Sequence, residues 1–139
     1  MAKSVRDAMT SNPRTVTPDR PVVEVARIMR DEDVGSVPII EDDGRLAGTV
    51  TDRDITIRLV AEGRDPQSVR VSDIASRDII TVDPQQDLDE ALRLMARHQI
   101  RRLPVVEEDG RLVGIVAQAD VAAEAKGKRV GETVEEISK

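Results

Sequence analysis

The residue types best suited to gripping a small ligand form one short pattern that occurs twice. Thr51-Asp52-Arg53-Asp54 carries a hydroxyl and a carboxylate three positions apart, and Ala117-Gln118-Ala119-Asp120 repeats the carboxylate without the hydroxyl. One carboxylate accepts hydrogen bonds from both hydroxyls of a vicinal diol, and a Thr hydroxyl adds a third contact. At a helix start, residues three apart share the face of the first turn, where the helix dipole also favours an anion. The same Thr-x-x-Asp spacing is also a capping box, in which the two side chains satisfy backbone amides and hold nothing else. Asp120 discriminates between the two readings, because with Ala117 in the hydroxyl position no reciprocal box can form.

An anionic ligand group needs donors, and the densest cluster is Arg101-Arg102, two guanidinium forks entering the apolar run Leu103 to Val106. The matching positions earlier in the chain are Gly35-Ser36. The alternative for the arginines is a solvated pair at a strand edge. His98, the single imidazole, has no partner at a catalytic or chelating spacing, and a helix C-terminus suits it by dipole alone. Glu41-Asp42-Asp43 and Glu107-Glu108-Asp109 read as solvated turns rather than metal cages. The chain has no Cys, which excludes disulfides, a thiolate nucleophile and a Cys-based zinc site. Without a nucleophile–base pair or a ligand cluster, no catalysis is expected and no metal site is assigned.

The bulk properties narrow the partners further. A chain of 139 residues is long enough for one compact core. Apolar residues make up 39% and aromatic residues 0%, so that core is built from Val, Ile, Leu, Met and Ala. A net charge of -6 opposes a phosphate-backbone footprint, and the missing aromatics remove the stacking platforms of single-strand binders. Nucleic acid is therefore not an expected partner. The opening residues Met1 to Asp7 lack the apolar run of a secretory signal, and no stretch approaches a membrane span. These features predict a soluble, cytoplasmic protein with no membrane partner.

The elements that position the two acids come from an internal repeat. Thr15-Val16-Thr17-Pro18 recurs as Thr81-Val82-Asp83-Pro84, 81 − 15 = 66 positions on. The offset holds without a gap through Glu24/Glu90, Met29/Met95, Pro38/Pro104, Gly48/Gly114 and Asp54/Asp120. In each copy an amphipathic helix is predicted from one-face spacing, Val22, Val25, Ala26 and Met29 in the first and Leu88, Ala91, Leu92 and Met95 in the second. Two β-rich runs flank Asp43-Gly44 and Asp109-Gly110, whose Gly accepts the positive φ of a hairpin turn. A second helix follows each hairpin, from near Thr51 to about Glu62 before Gly63, and from near Ala117. The expected division is repeat 1 over 1–63, a polar linker over 64–70, repeat 2 over 71–123, and a charged tail over 124–139 in which Val130, Val134 and Ile137 could form a short docking helix. The fold class is α/β (α+β), two β-α-β-β-α repeats packed sheet to sheet about a pseudo-twofold axis with two clefts.

Gly48-Thr49-Val50-Thr51-Asp52-Arg53-Asp54-Ile55, preceded by Ser36-Val37-Pro38-Ile39-Ile40 and Asp43-Gly44-Arg45-Leu46, strongly resembles the cystathionine-β-synthase (CBS) domain. Leu103-Pro104-Val105-Val106 through Asp120-Val121 resembles it again, so the likeness covers roughly Val5 to Ala123. The chain is most similar to short bacterial proteins made of one CBS pair, including the actinobacterial hypoxic-response type. Some of those use cysteines for zinc, which are absent here.

The resemblance implies a regulatory module that binds AMP, ADP, ATP or a related adenosyl ligand in its clefts and reports to an unknown protein partner, commonly as a homodimer. No cofactor is required, although Mg could arrive with ATP. Ribose contacts are expected from Thr51, Asp54 and Asp120, and phosphate contacts from Ser36, Arg101 and Arg102, with Arg101 able to reach toward the opposite cleft. By resemblance the adenine lies against Met9-Thr10-Ser11 and Ala75-Ser76-Arg77, with Val34 and Ile100 as walls. The fuller ribose arm makes the Thr51/Asp54 cleft the expected tighter site. The alternative function is an interaction or scaffold protein that binds no ligand.

Overall fold

In the computed structural model the described residues are 3–125, and they form two compact units. One spans Arg14–Ile79, and the other joins the residues before Arg14 to those from Ile80 onward. The predicted tail lies outside the described residues from position 126 on, and with it Val130, Val134 and Ile137.

The repeat boundaries at 63 and 71 and the unit boundaries at 14 and 80 do not coincide. The reason is where apolar side chains find cover. Val5, fully buried, packs with Val82, Leu88, Ala91, Met95, Leu103, Val105, Val116 and Val121. Val69, Val71 and Ile74, although beyond residue 63, are buried with Val22, Val25, Val37, Ile39, Val50 and Leu59. The segment expected as a linker therefore contributes Val69 to a core, since burying a Val side chain is worth about 1.5–3 kcal/mol.

In the unit Arg14–Ile79, α2 (Val22–Glu32) places Val22, Val25 and Ile28 in the core, with Met29 only partly covered. It ends at Asp33 in the left-handed conformation (φ 56), and the Val34 amide reaches back to the Met29 carbonyl at 3.1 Å. Strands β2 (Ser36–Ile40) and β3 (Leu46–Thr51) pair antiparallel, Ser36 opposite Thr51. Their connection is a tight turn in which the Gly44 amide donates to the Glu41 carbonyl at 2.9 Å. Gly44 takes φ 87, and a register shift follows at Ile39/Ile40. That is a turn closed by a glycine bulge, the use expected of Asp-Gly. The sheet is widened on both edges by single bridges, Val16 beside Ile39 and Ser76 beside Thr49. The strand expected to open each repeat is thus reduced to one bridge. α4 (Val71–Ile74) precedes Ser76.

The second helix departs from expectation. α3 (Asp52–Ile55) gives way to a wide-turned π segment, Thr56–Val60, in which the Ala61 amide bonds Thr56 O five residues back at 2.9 Å. Leu59 is buried, whereas Ile57 and Val60 are left exposed.

The other unit repeats the plan with α5 (Leu88–His98), β4 (Arg102–Val106), β5 (Leu112–Ala117) and α6 (Gln118–Ala125). Gly110 takes φ 93 at the turn, and Val82 bridges Val105. The free edge of β5 is covered by β1 (Thr10–Ser11), which follows the short α1 (Val5–Ala8). Thr10 pairs with Ile115, and Ser11 with Gly114. Gly114 and its counterpart Gly48 are required by this arrangement. A Cβ at Gly48 would stand 2.8 Å from the Ser76 carbonyl oxygen, and one at Gly114 2.9 Å from that of Thr10.

Candidate functional site

In the unit Arg14–Ile79, Thr51 sits where β3 becomes α3, and its extended backbone (φ -111, ψ 163) makes it the helix N-cap. Its Oγ1 accepts the Asp54 amide at 3.0 Å, while Asp54 Oδ2 accepts the Thr51 amide at 2.9 Å. The capping box is thus formed, and it fixes both side chains without exhausting them. The hydroxyl proton of Thr51 and the second oxygen of Asp54 are outside the box. Asp54 Oδ1 lies 3.9 Å from Arg58 Nε, and Arg58 Nη1 donates to the Ile74 carbonyl at 3.4 Å. The Asp52 amide donates to the Gly35 carbonyl at 2.9 Å, which holds Gly35-Ser36 against the helix start.

Val34, Ser36, Thr51 and Asp54 therefore meet at one end of this sheet. Ala75 and Ser76 lie on the opposite edge of β3, level with Thr49. The Ser76 amide and carbonyl are both taken by Thr49, at 2.9 and 3.0 Å. The Ser76 amide is thus already engaged, while Arg77 beyond it is exposed.

In the other unit Arg102 pairs with Ala117, and the Arg101 carbonyl accepts the Gln118 amide at 2.7 Å, matching Gly35 and Asp52. Arg101 and Arg102 are exposed, and neither makes an ion pair among the described residues. Ile100 is partly buried against the core, its amide bonded to the Met95 carbonyl at 3.0 Å. Asp120 is half-buried in the first turn of α6, and among the described residues no donor engages its carboxylate. Met9, Thr10 and Ser11 line the far edge of β5, Met9 against Gly114. The opening segment thus borders the strand that leads to Asp120, and Ser76 the strand that leads to Asp54.

Three features escaped the sequence reading. Arg58 is an arginine on an exposed helical face, and only its i+4 spacing from Asp54 hints at a role. Its counterpart 66 positions on, Glu124, instead pairs with Lys3 at 2.9 Å. The exchange of opening segments had one sequence signal, a glycine inside each strand run at Gly48 and Gly114. His98 ends α5 in solvent beside Arg97, where both cations suit the helix terminus. Carboxyl groups held below their ordinary range lie elsewhere: Asp19 through the Thr17 hydroxyl, and Asp31 through the Arg30 guanidinium. Among the described residues no group of three or more His, Asp or Glu is placed to hold a metal ion.

The model of the CBS domain family matches residues 5–61 and 71–127. The CBS domain-containing protein YhcV of Bacillus subtilis is 45% identical over 119 residues, covering 86% of this chain and 83% of that protein. Hypoxic response protein 1 of Mycobacterium tuberculosis is 41% identical, with 86% and 82% covered. Inosine-5'-monophosphate dehydrogenase of Korarchaeum cryptofilum is 39% identical, but the match spans only 25% of that enzyme. Among solved structures, Hypoxic Response Protein I with two coordinated zinc ions superposes at TM-score 0.79, with 41% identity and 86% and 97% coverage. The CBS domain pair of MJ0100 with 5'-methylthioadenosine and S-adenosyl-L-methionine also gives 0.79, at 26% identity and 93% and 100% coverage. CBSX2 in complex with AMP gives 0.77, at 28% identity and 89% and 96% coverage.

Proposed function

We propose that this chain, which belongs to the CBS domain family and carries two of its repeats, is a non-catalytic regulatory module that binds an adenine nucleotide. The observation that carries the reading is Asp120. The acid is kept at the same place in both repeats, yet in the second Ala117 provides no hydroxyl and no capping bond ties the carboxylate down. A half-buried carboxylate without a partner among the described residues is suited to accept both hydroxyls of a ribose. Neighbours that bind AMP, S-adenosylmethionine and methylthioadenosine support the adenosyl class.

In this reading Asp54 with Thr51, and Asp120, hold ribose. Ser36, Arg101 and Arg102 face phosphate, Arg102 at the Asp120 edge. Val34 and Ile100 are apolar walls, and Met9, Thr10, Ser11, Ala75, Ser76 and Arg77 border the base. ATP would carry Mg with it. The module acts as a cytoplasmic homodimer on a protein partner, and exposed Ile57 and Val60 offer a second copy an apolar contact.

Calorimetry of the purified protein with AMP, ATP and S-adenosylmethionine tests the proposal. Micromolar or tighter binding that falls by about 1.5–3 kcal/mol in Asp120→Ala supports it, that being the worth of charged hydrogen bonds. Absence of heat with all three ligands leaves a scaffold.

A further inference from the structure

Resting on that reading, we infer that Arg58 is the charge-specificity residue of the Asp54 edge, the group that lets it accept a phosphorylated rather than a neutral nucleoside. The problem it solves is electrostatic. Gly35 and Ser36 bring no charge, and a Cβ on Gly35 would sit 3.2 Å from Asp52 Oδ2, so this edge is flanked by two carboxylates, Asp52 and Asp54. An anion approaching it meets like-charge repulsion unless a cation stands beside the acids. Among the described residues Arg58 is the one cation in contact with Asp54.

Its contacts are those of a loosely held donor. The guanidinium is 3.9 Å from Asp54 Oδ1, too long for a hydrogen bond, and one N–H reaches the Ile74 carbonyl at 3.4 Å. A guanidinium has five N–H donors. Most therefore have no acceptor among the described residues, on a side chain that is 54% exposed beside the acid. The other repeat solves the same problem from the opposite side. Its strand start carries Arg101-Arg102, and the Arg58 position is Glu124, already matched by Lys3. Each repeat thus has a cation supply, but from different elements.

The test uses the intact chain in an Asp120→Ala background, so that the Asp54 edge alone is read. Arg58→Gln keeps the aliphatic stem and a polar N–H end but removes the charge. AMP affinity is expected to fall about 10-fold with adenosine affinity unchanged within about 2-fold, and Arg58→Lys restores AMP binding. Equal losses for adenosine and AMP show that Arg58 merely orients Asp54 and overturn the inference, as does an unaltered AMP affinity. If the parent chain binds neither ligand, the nucleotide reading itself fails, a result distinct from either of these.

Discussion

At Asp54 the two carboxylate oxygens have separate tasks, Oδ2 closing the helix cap and Oδ1 turned toward Arg58. A side chain that caps a helix is held in one rotamer by the backbone, so a ligand need not bear the cost of ordering it. Thr51→Ala and Asp54→Ala should each lower stability by about 1 kcal/mol in urea unfolding. The double variant should lose less than their sum, because either substitution already opens the same box. Asp120→Ala has no cap to lose. Its unfolding midpoint should stay within about 0.5 kcal/mol of the parent while its ligand binding falls, which separates the two acids by their second jobs. Thr51 and Asp54 were legible in the sequence because spacing alone puts them on one helical turn. Arg58 was not, since an exposed arginine one turn on looks like any solvated charge.

The helices α2 and α5 and both hairpins follow from local rules: apolar residues on one face, and a glycine where the turn needs a positive φ. Ile28 rather than Met29 fills the core under α2, a rotation of one residue that periodicity does not resolve. Glycines in the two strand runs obey a different rule, set by whatever crosses them. Gly48→Ala should cost about 1–3 kcal/mol in thermal or chemical unfolding, because the clash is with backbone that cannot rotate away. Gly63→Ala has open space around it and only its φ of 65 to oppose it, so about 1 kcal/mol is expected. The widening of the second helix at Thr56–Val60 has no counterpart in the residue pattern, and we have no physical account of it. It leaves Ile57 and Val60 in solvent, and Val60→Glu should dissociate a homodimer in sedimentation without unfolding the chain.

For the molecule as a whole, similarity between repeats and physical compactness divide the chain differently. Sequence periodicity reports what was duplicated, whereas burial reports what packs. The two part at the opening thirteen residues, whose β1 and Val5 belong with elements from Ile80 onward. Nothing within a short window reveals a strand pairing of Thr10 with Ile115, so the exchange could not be read from propensity. A fragment of residues 14–79 should therefore show cooperative unfolding, because Val69, Val71 and Ile74 complete its core. A fragment of residues 1–63, cut at the repeat boundary, should not, and circular dichroism melts of the two would decide it.

That exchange also bears on how the chain closes. Val5 finds its cover only among residues from Val82 onward, whereas the stretch from Arg14 to Ile79 holds its own core residues within itself. Closing a loop of that length is slow compared with forming the local hairpins. Without β1 in place the edge of β5 would be a row of unpaired backbone groups, the kind of edge that pairs with a neighbouring polypeptide.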